Sequence, residues 1–163
     1  MGEWLYKSLA GIRPASPGYA TVTIAPLVSK AVGPSAVNAT VQTIRGPIQS
    51  AWRRGDGARA GAGTGGSAPG LVLRLSCTLP VGSRAEVVMP LLGLPVARAR
   101  LLLLHSVGDG EASGVGDGDA GAIQLWPRRS SSSTSGALTV IPSPQALRAL
   151  VGSGSYDFQL HER

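Results

Sequence analysis

The sequence predicts an all-β chain: an antiparallel β-sandwich of jelly-roll type, preceded by one short α-helix. Three observations carry this reading. Apolar residues recur at every second position in roughly seven to nine short segments. Turn signals separate those segments, with glycine and proline supplying 35 of the 163 residues. No strand–helix alternation of the kind a parallel α/β sheet requires is present. The length suits one domain, and with aromatics at only 4% its core must be built mainly from Leu, Val, Ile and Ala.

The exception to the strand pattern comes first. In GEWLYKSLAGIRPASPGY (residues 2–19), Met1, Leu5, Leu9 and Ile12 fall at helical spacings, with Trp4 beside them. Gly11 is a stop signal, and Pro14 and Pro17 bar resumption, which assigns residues 1–13 to a helical segment. A helix of about 11 residues is marginal alone in water. Its stripe of Met1, Trp4, Leu5, Leu9 and Ile12 therefore needs a surface to dock on.

From residue 19 to 163 the period is two. YATVTIAP places Ala20, Val22 and Ile24 on one face, and AVNATVQTI does the same with Val37, Ala39 and Val41. A turn at Arg45-Gly46 leads into IQSAW, so these two segments read as a hairpin. LVLRLSCTLP alternates Leu71, Leu73, Leu75, Cys77 and Leu79 against Val72, Arg74, Ser76 and Thr78. RAEVVMP, ARLLLLHSV, AIQLW and ALTVIP are further strand candidates, and LVGSGSYDFQL closes the chain with Tyr156, Phe158 and Leu160 in register. Three low-complexity stretches, near 53–70, 108–121 and 127–136, read as long flexible connections between strands.

Charge and cysteine usage narrow the function. The net charge is +6, but the 13 arginines and 2 lysines are spread along the chain. Only Arg53-Arg54 and Arg128-Arg129 adjoin, without the interleaved aromatics of a nucleic-acid surface, so no nucleic-acid partner is expected. The most apolar stretch is broken by Pro95, Arg98 and Arg100, so no membrane span is expected either. Met1 to Trp4 shows no charged region leading into an apolar one, and the compartment stays open. Cys77 is the single cysteine and sits at an apolar alternation position, the setting of a buried, inert thiol.

Several stretches imitate functional motifs. GAGTGG (residues 61–66) spells G-x-G-x-x-G but lies in a Gly/Ala run, without the preceding strand and following helix that would hold a pyrophosphate. The acidic run with Asp109, Glu111, Asp117 and Asp119 lacks the spacing of a calcium loop. Five of the nine acids sit in the low-complexity stretches, whereas glycosidase chemistry needs two carboxylates at fixed separation on a rigid scaffold. Glu3, Glu86, Asp157 and Glu162 are not paired by spacing, and no nucleophile motif appears. No catalytic, cofactor-binding or metal-ligating residue is assigned, and no cofactor is expected.

The order of the pieces resembles a known family. GEWLYKSLAGIRPASPGY followed by TIAP is similar to the junction in bacterial-type α-L-rhamnosidases, glycoside hydrolase family 78. The likeness continues through GPIQSAW (G-x-I-x-S-x-W), the strand end LPVG, AEVVMP and the closing SGSYDF. The resemblance implies the last helix of an (α/α)6 catalytic barrel running into a C-terminal β-sandwich. It implies a parent enzyme that hydrolyses terminal α-L-rhamnosides with inversion, using two carboxylates that lie on the barrel and match no position here. The barrel would be the partner in cis, and rhamnosylated glycosides would be reached only through the parent enzyme. Tyr19, Trp52, Tyr156 and Phe158 are then candidates for either the core or a barrel-facing surface. The alternative is a stand-alone carbohydrate-binding or protein-interaction module, whose stacking platform would have to draw on Trp52 and Trp126.

Overall fold

A computed structural model describes residues 2–55, 70–107, 123–127 and 139–163. It begins with α1 (Gly2–Trp4), which continues as a π-helical stretch, Leu5–Leu9. Eleven strands follow: β1 (Ile12–Pro14), β2 (Thr21–Ile24), β3 (Ala36–Thr43), β4 (Gly46–Arg54), β5 (Leu71–Leu79), β6 (Arg84–Pro90), β7 (Ala99–Val107), β8 (Ile123–Trp126), β9 (Thr139–Pro142), β10 (Ala146–Val151) and β11 (Gly154–Glu162). They form two sheets, ordered β1-β2-β6-β10-β9 and β3-β4-β5-β11-β7-β8. All neighbours are antiparallel except β2 and β6, which the chain joins by crossing through β3, β4 and β5 in the other sheet. The all-β sandwich read from the period-two pattern is what the chain forms.

The alternation becomes the core directly, because successive strand residues face opposite sides. On β5 every odd residue from Leu71 to Leu79 is buried, while Arg74 is exposed and Val72, Ser76 and Thr78 are half-buried. In the larger sheet Val37, Trp52, Leu75, Phe158 and Leu103 stand in one cross-strand row. In the smaller sheet Ile12, Ile24, Val87, Ala149 and Val140 make another. Phe158 and Trp52 are thus core residues at 1% and 3% exposure, whereas Tyr19 and Tyr156 pack against the core half-buried.

Three sequence readings change. The helical segment stops at Leu9, and Ile12 is the first residue of β1, buried at 2% exposure, rather than the last of a helical stripe. Arg53 and Arg54, read as the start of the first low-complexity stretch, complete β4. The segment before LVGSGSYDF holds an unanticipated strand, β10, with Leu147, Ala149 and Val151 inward. The G-x-G-x-x-G run, the acidic run, the whole of 108–121 and all but the ends of the other two low-complexity stretches (53–55, 70 and 127) lie outside the described residues.

Gly11 makes the change of course between helix and β1. Its φ of +76° is left-handed, and a Cβ there would lie 2.2 Å from the carbonyl carbon of Ala25. The close approach is held by the Ala25 N–H donating to the Gly11 carbonyl at 2.9 Å. Gly11→Ala combines backbone strain with an unavoidable backbone clash, so a loss of roughly 3 kcal/mol is expected. Urea unfolding followed by far-UV circular dichroism checks this; a midpoint matching the unsubstituted chain contradicts the account.

Candidate domain-docking interface

A helix ends with carbonyls that have no partner within it, and in a dry setting each needs a donor. Here four consecutive carbonyls find theirs in the sandwich. The Lys7 carbonyl accepts from Arg13 Nε at 2.9 Å, and the Ser8 carbonyl from the Leu27 N–H at 2.9 Å. Leu9 accepts from the Trp52 indole N–H at 2.7 Å, and Ala10 from the Ser50 hydroxyl at 2.8 Å. Ser50 and Ala10 are both fully buried. The π-type bond from the Ala10 N–H to the Leu5 carbonyl, 3.0 Å, is the segment's last turn. Ile48, Ser50 and Trp52 share the inward face of β4, so the polar members of GPIQSAW sit in the core as caps for the incoming helix.

The opposite side of the segment has no cover. Trp4, Leu5 and Tyr6 are 56%, 49% and 43% exposed, and no residue from Gly2 to Leu9 is buried. Of the five residues read as a docking stripe, Trp4 and Leu5 lie on this open surface and Leu9 is half-buried at the capped end. Ile12 belongs to the core, and Met1 lies outside the described residues. Tyr6, which the spacing passed over, joins the exposed group. Glu3 and Lys7 pair across one turn at 2.5 Å; the shared hydrogen bond holds the Glu3 carboxyl below its usual range and raises Lys7. A groove of about 340 Å³ separates the segment from β3, with Tyr6, Lys7 and Tyr19 facing Thr40, Val41 and Gln42.

The turns beside this surface are fastened to one another. Arg45 at the β3–β4 turn donates through Nε to the Gly18 carbonyl at 3.1 Å and through Nη1 to the Gly82 carbonyl at 3.5 Å. The buried Ser83 hydroxyl donates to the carbonyl of Tyr19, a residue with φ +58°. The positions of Ile44 and Val81, 88% and 75% exposed on those turns, are fixed in this way.

The described acids are paired rather than poised. Each of the four described acids faces a base: Glu3 with Lys7, Glu86 with Arg148 at 3.2 Å, Glu162 with Arg98 at 4.0 Å, and Asp157 with Arg74. The last pair is bidentate, Arg74 Nε reaching the two carboxylate oxygens at 3.0 and 3.1 Å, and the hydrogen bond raises the Arg74 pKa. No two described carboxylates share a site in the manner of glycoside hydrolysis. Among the described residues no three His, Cys, Asp or Glu side chains converge as metal ligands would. Trp52 is 3% exposed and so offers no free ring face of the kind sugar stacking uses, and Trp126 is half-buried, its indole nitrogen 3.5 Å from the Val96 carbonyl.

Comparison with known proteins accounts for this arrangement. Residues 11–60, which run from the Gly11 pivot through β4, match the family model described as bacterial alpha-L-rhamnosidase C-terminal domain. An alpha-L-rhamnosidase of Streptomyces avermitilis is 32% identical over 90 residues, 55% of this chain. The chain is thus similar to the C-terminal region of α-L-rhamnosidases. The fold agrees: the structure of alpha-L-rhamnosidase from Dictyoglumus thermophilum matches 97% of the chain with a TM-score of 0.62 at 19% identity. The Streptomyces avermitilis alpha-L-rhamnosidase, crystallised with L-rhamnose, matches 97% with a TM-score of 0.56 at 23% identity. The chain spans only a small part of these relatives: 7% of the curated Streptomyces protein, and 13% and 10% of the two solved chains. The Ser50 and Trp52 donors lie inside the family-matched stretch.

Two outcomes follow. Ser50→Ala strands the buried Ala10 carbonyl and Trp52→Phe the Leu9 carbonyl, each at about 1–3 kcal/mol. Hydrogen exchange of residues 2–10 should accelerate in both variants; unchanged protection there rules out the capping role. Burial, and after it the Asp157 carboxylate, pushes the Cys77 thiol from 9.0 up to about 12. Because the unfolded thiol ionises first, the stability Cys77 contributes is complete below about pH 9 and is lost as pH rises toward 12. Aromatic disulfide reagents at pH 9 should label the thiol only after unfolding, and rapid labelling of the folded chain contradicts this.

Proposed function

We propose that the chain is the accessory β-sandwich of an α-L-rhamnosidase, and that Gly2–Leu9 is the last helix of that enzyme's (α/α)6 catalytic barrel. One observation carries the reading: a helical segment whose final four carbonyls are capped by the sandwich while Trp4, Leu5 and Tyr6 stand exposed. A segment of this kind joins two bodies, one of which is this sandwich. The sandwich fixes the direction of the helix, and the helix presents its aromatic side to neighbouring barrel helices. Hydrolysis of terminal α-L-rhamnosides, with inversion, belongs to the barrel, whose two carboxylates act on either side of the sugar ring. The four described acids here hold structural ion pairs instead.

Sequencing the transcript across the codon for Met1 tests the joining role. A continuous reading frame encoding paired helices and two carboxylates is expected, and a stop codon immediately upstream defeats the proposal. Incubating the purified 163-residue chain with an aryl α-L-rhamnoside tests the division of labour. No release of the aryl alcohol is expected; turnover by this chain alone would place catalysis in the sandwich.

A further inference from the structure

The two sheets have four edge strands, and three of them are blunted. β1 is three residues long and ends in Pro14, β8 is four residues followed by Pro127, and β9 is four residues ending in Pro142. Short length and proline are standard protection against strand addition, since they leave little backbone for another chain to pair with. β3 differs. It runs eight residues, Ala36–Thr43, with no proline and no charged side chain, and among the described residues nothing pairs with its outer edge.

The direction of its free groups follows from β4. Pro47 stands opposite Gln42 in the β3–β4 ladder and has no N–H to give. Gln42 is therefore at a position where the two strands exchange no hydrogen bond, and by alternation Asn38 and Thr40 are as well. The N–H and C=O groups of Asn38, Thr40 and Gln42 point away from β4, toward the open edge. One hollow lies over the sheet between Ala36–Asn38 and Arg53 and Arg74, and another between Thr40–Gln42 and the Tyr6 and Lys7 side of the helical segment.

We propose that β3 pairs antiparallel with β3 of a second copy of this chain, about a two-fold axis at Thr40. The strand is complementary to itself in that register. Thr40 meets Thr40 through the outward N–H and C=O groups, Asn38 meets Gln42 on the outer face, and Ala39 meets Val41 on the inner face. Because β3 carries no charge, nothing in it opposes a second identical strand, and the contact is isologous and closes as a dimer. Two six-stranded sheets become one sheet continuous across the axis.

Light scattering on the purified chain, with two substitutions at the exposed Thr40, tests this. The unsubstituted chain should have the mass of two copies. Thr40→Cys should form a covalent dimer under mild oxidation, since facing Cα atoms in such a pair lie about 5.5 Å apart and Cys77 is buried. Thr40→Lys sets two like charges on the axis and should give single copies with an unchanged circular dichroism spectrum. A monomeric unsubstituted chain overturns the proposal. So does a dimer that survives Thr40→Lys and fails to cross-link through Thr40→Cys, which would move the contact to the Trp4–Tyr6 surface.

Discussion

The capping of the helix end by Ser50 and Trp52 is the contact on which the rest of the arrangement depends. A strand facing a dry core would ordinarily carry only apolar residues there, and β4 instead carries a hydroxyl and an indole N–H between Ile48 and the rim. Both are tolerated because each meets a carbonyl that would otherwise be buried without a donor. The exchange settles the position of residues 9 and 10, and with it the sharp turn at Gly11 and the entry of Ile12 into β1. β2 follows, because β1 pairs with it in a register that sets Ile12 against Ile24. The half of the smaller sheet that begins the chain is thus placed by a bond made forty residues away.

Such a connection behaves differently from an ordinary domain linker. Linkers are rich in polar residues, proline and glycine, and few contacts cross them, so the bodies on either side reorient freely. Between Leu9 and Ile12 there are only Ala10 and Gly11, both buried. Swinging the helix relative to the sandwich means breaking bonds from Arg13, Leu27, Trp52 and Ser50 together, at about 1 kcal/mol net for each and more for the buried pair. A body carried by this helix moves with the sandwich. The proposed joining role needs no reactive group, and Arg45 ties the neighbouring turns together on that side.

Much of the fold was legible because period two translates directly into burial. The β5 alternation gives five buried residues in five inward positions, and the β3–β4 turn falls where Arg45-Gly46 marks it. What escaped was decided over long range. Ile12 continues a helical spacing from Leu5 and Leu9, and nothing local shows that Gly11 resets the course; the approach of Ala25 does that. β10 carries Leu150 at 47% exposure between inward Ala149 and Val151, so its apolar run hides its alternation. Of the stripe read as a docking face, Trp4 and Leu5 are exposed, and so is Tyr6, which the spacing had passed over. The pattern G-x-I-x-S-x-W was visible as a family likeness, but its reason, two donors aimed at a helix end, exists only in three dimensions.

The chemistry of the described residues fits this mechanical role. Catalytic groups are recognised by being held away from their ordinary state and facing a cleft, as when a carboxyl is kept protonated near neutrality. Here the perturbations run the other way. Arg74 is raised by its bond to Asp157, Lys7 by its bond to Glu3, and Cys77 by burial that keeps it a neutral thiol. Each shift fixes its group more firmly in the form it already has at neutral pH. Each of the four described carboxylates already faces a base. Among the described residues the apolar surface left open includes Trp4, Leu5 and Tyr6 on the helical segment and Ile44 and Val81 on the turns, and the outer edge of β3 is unpaired.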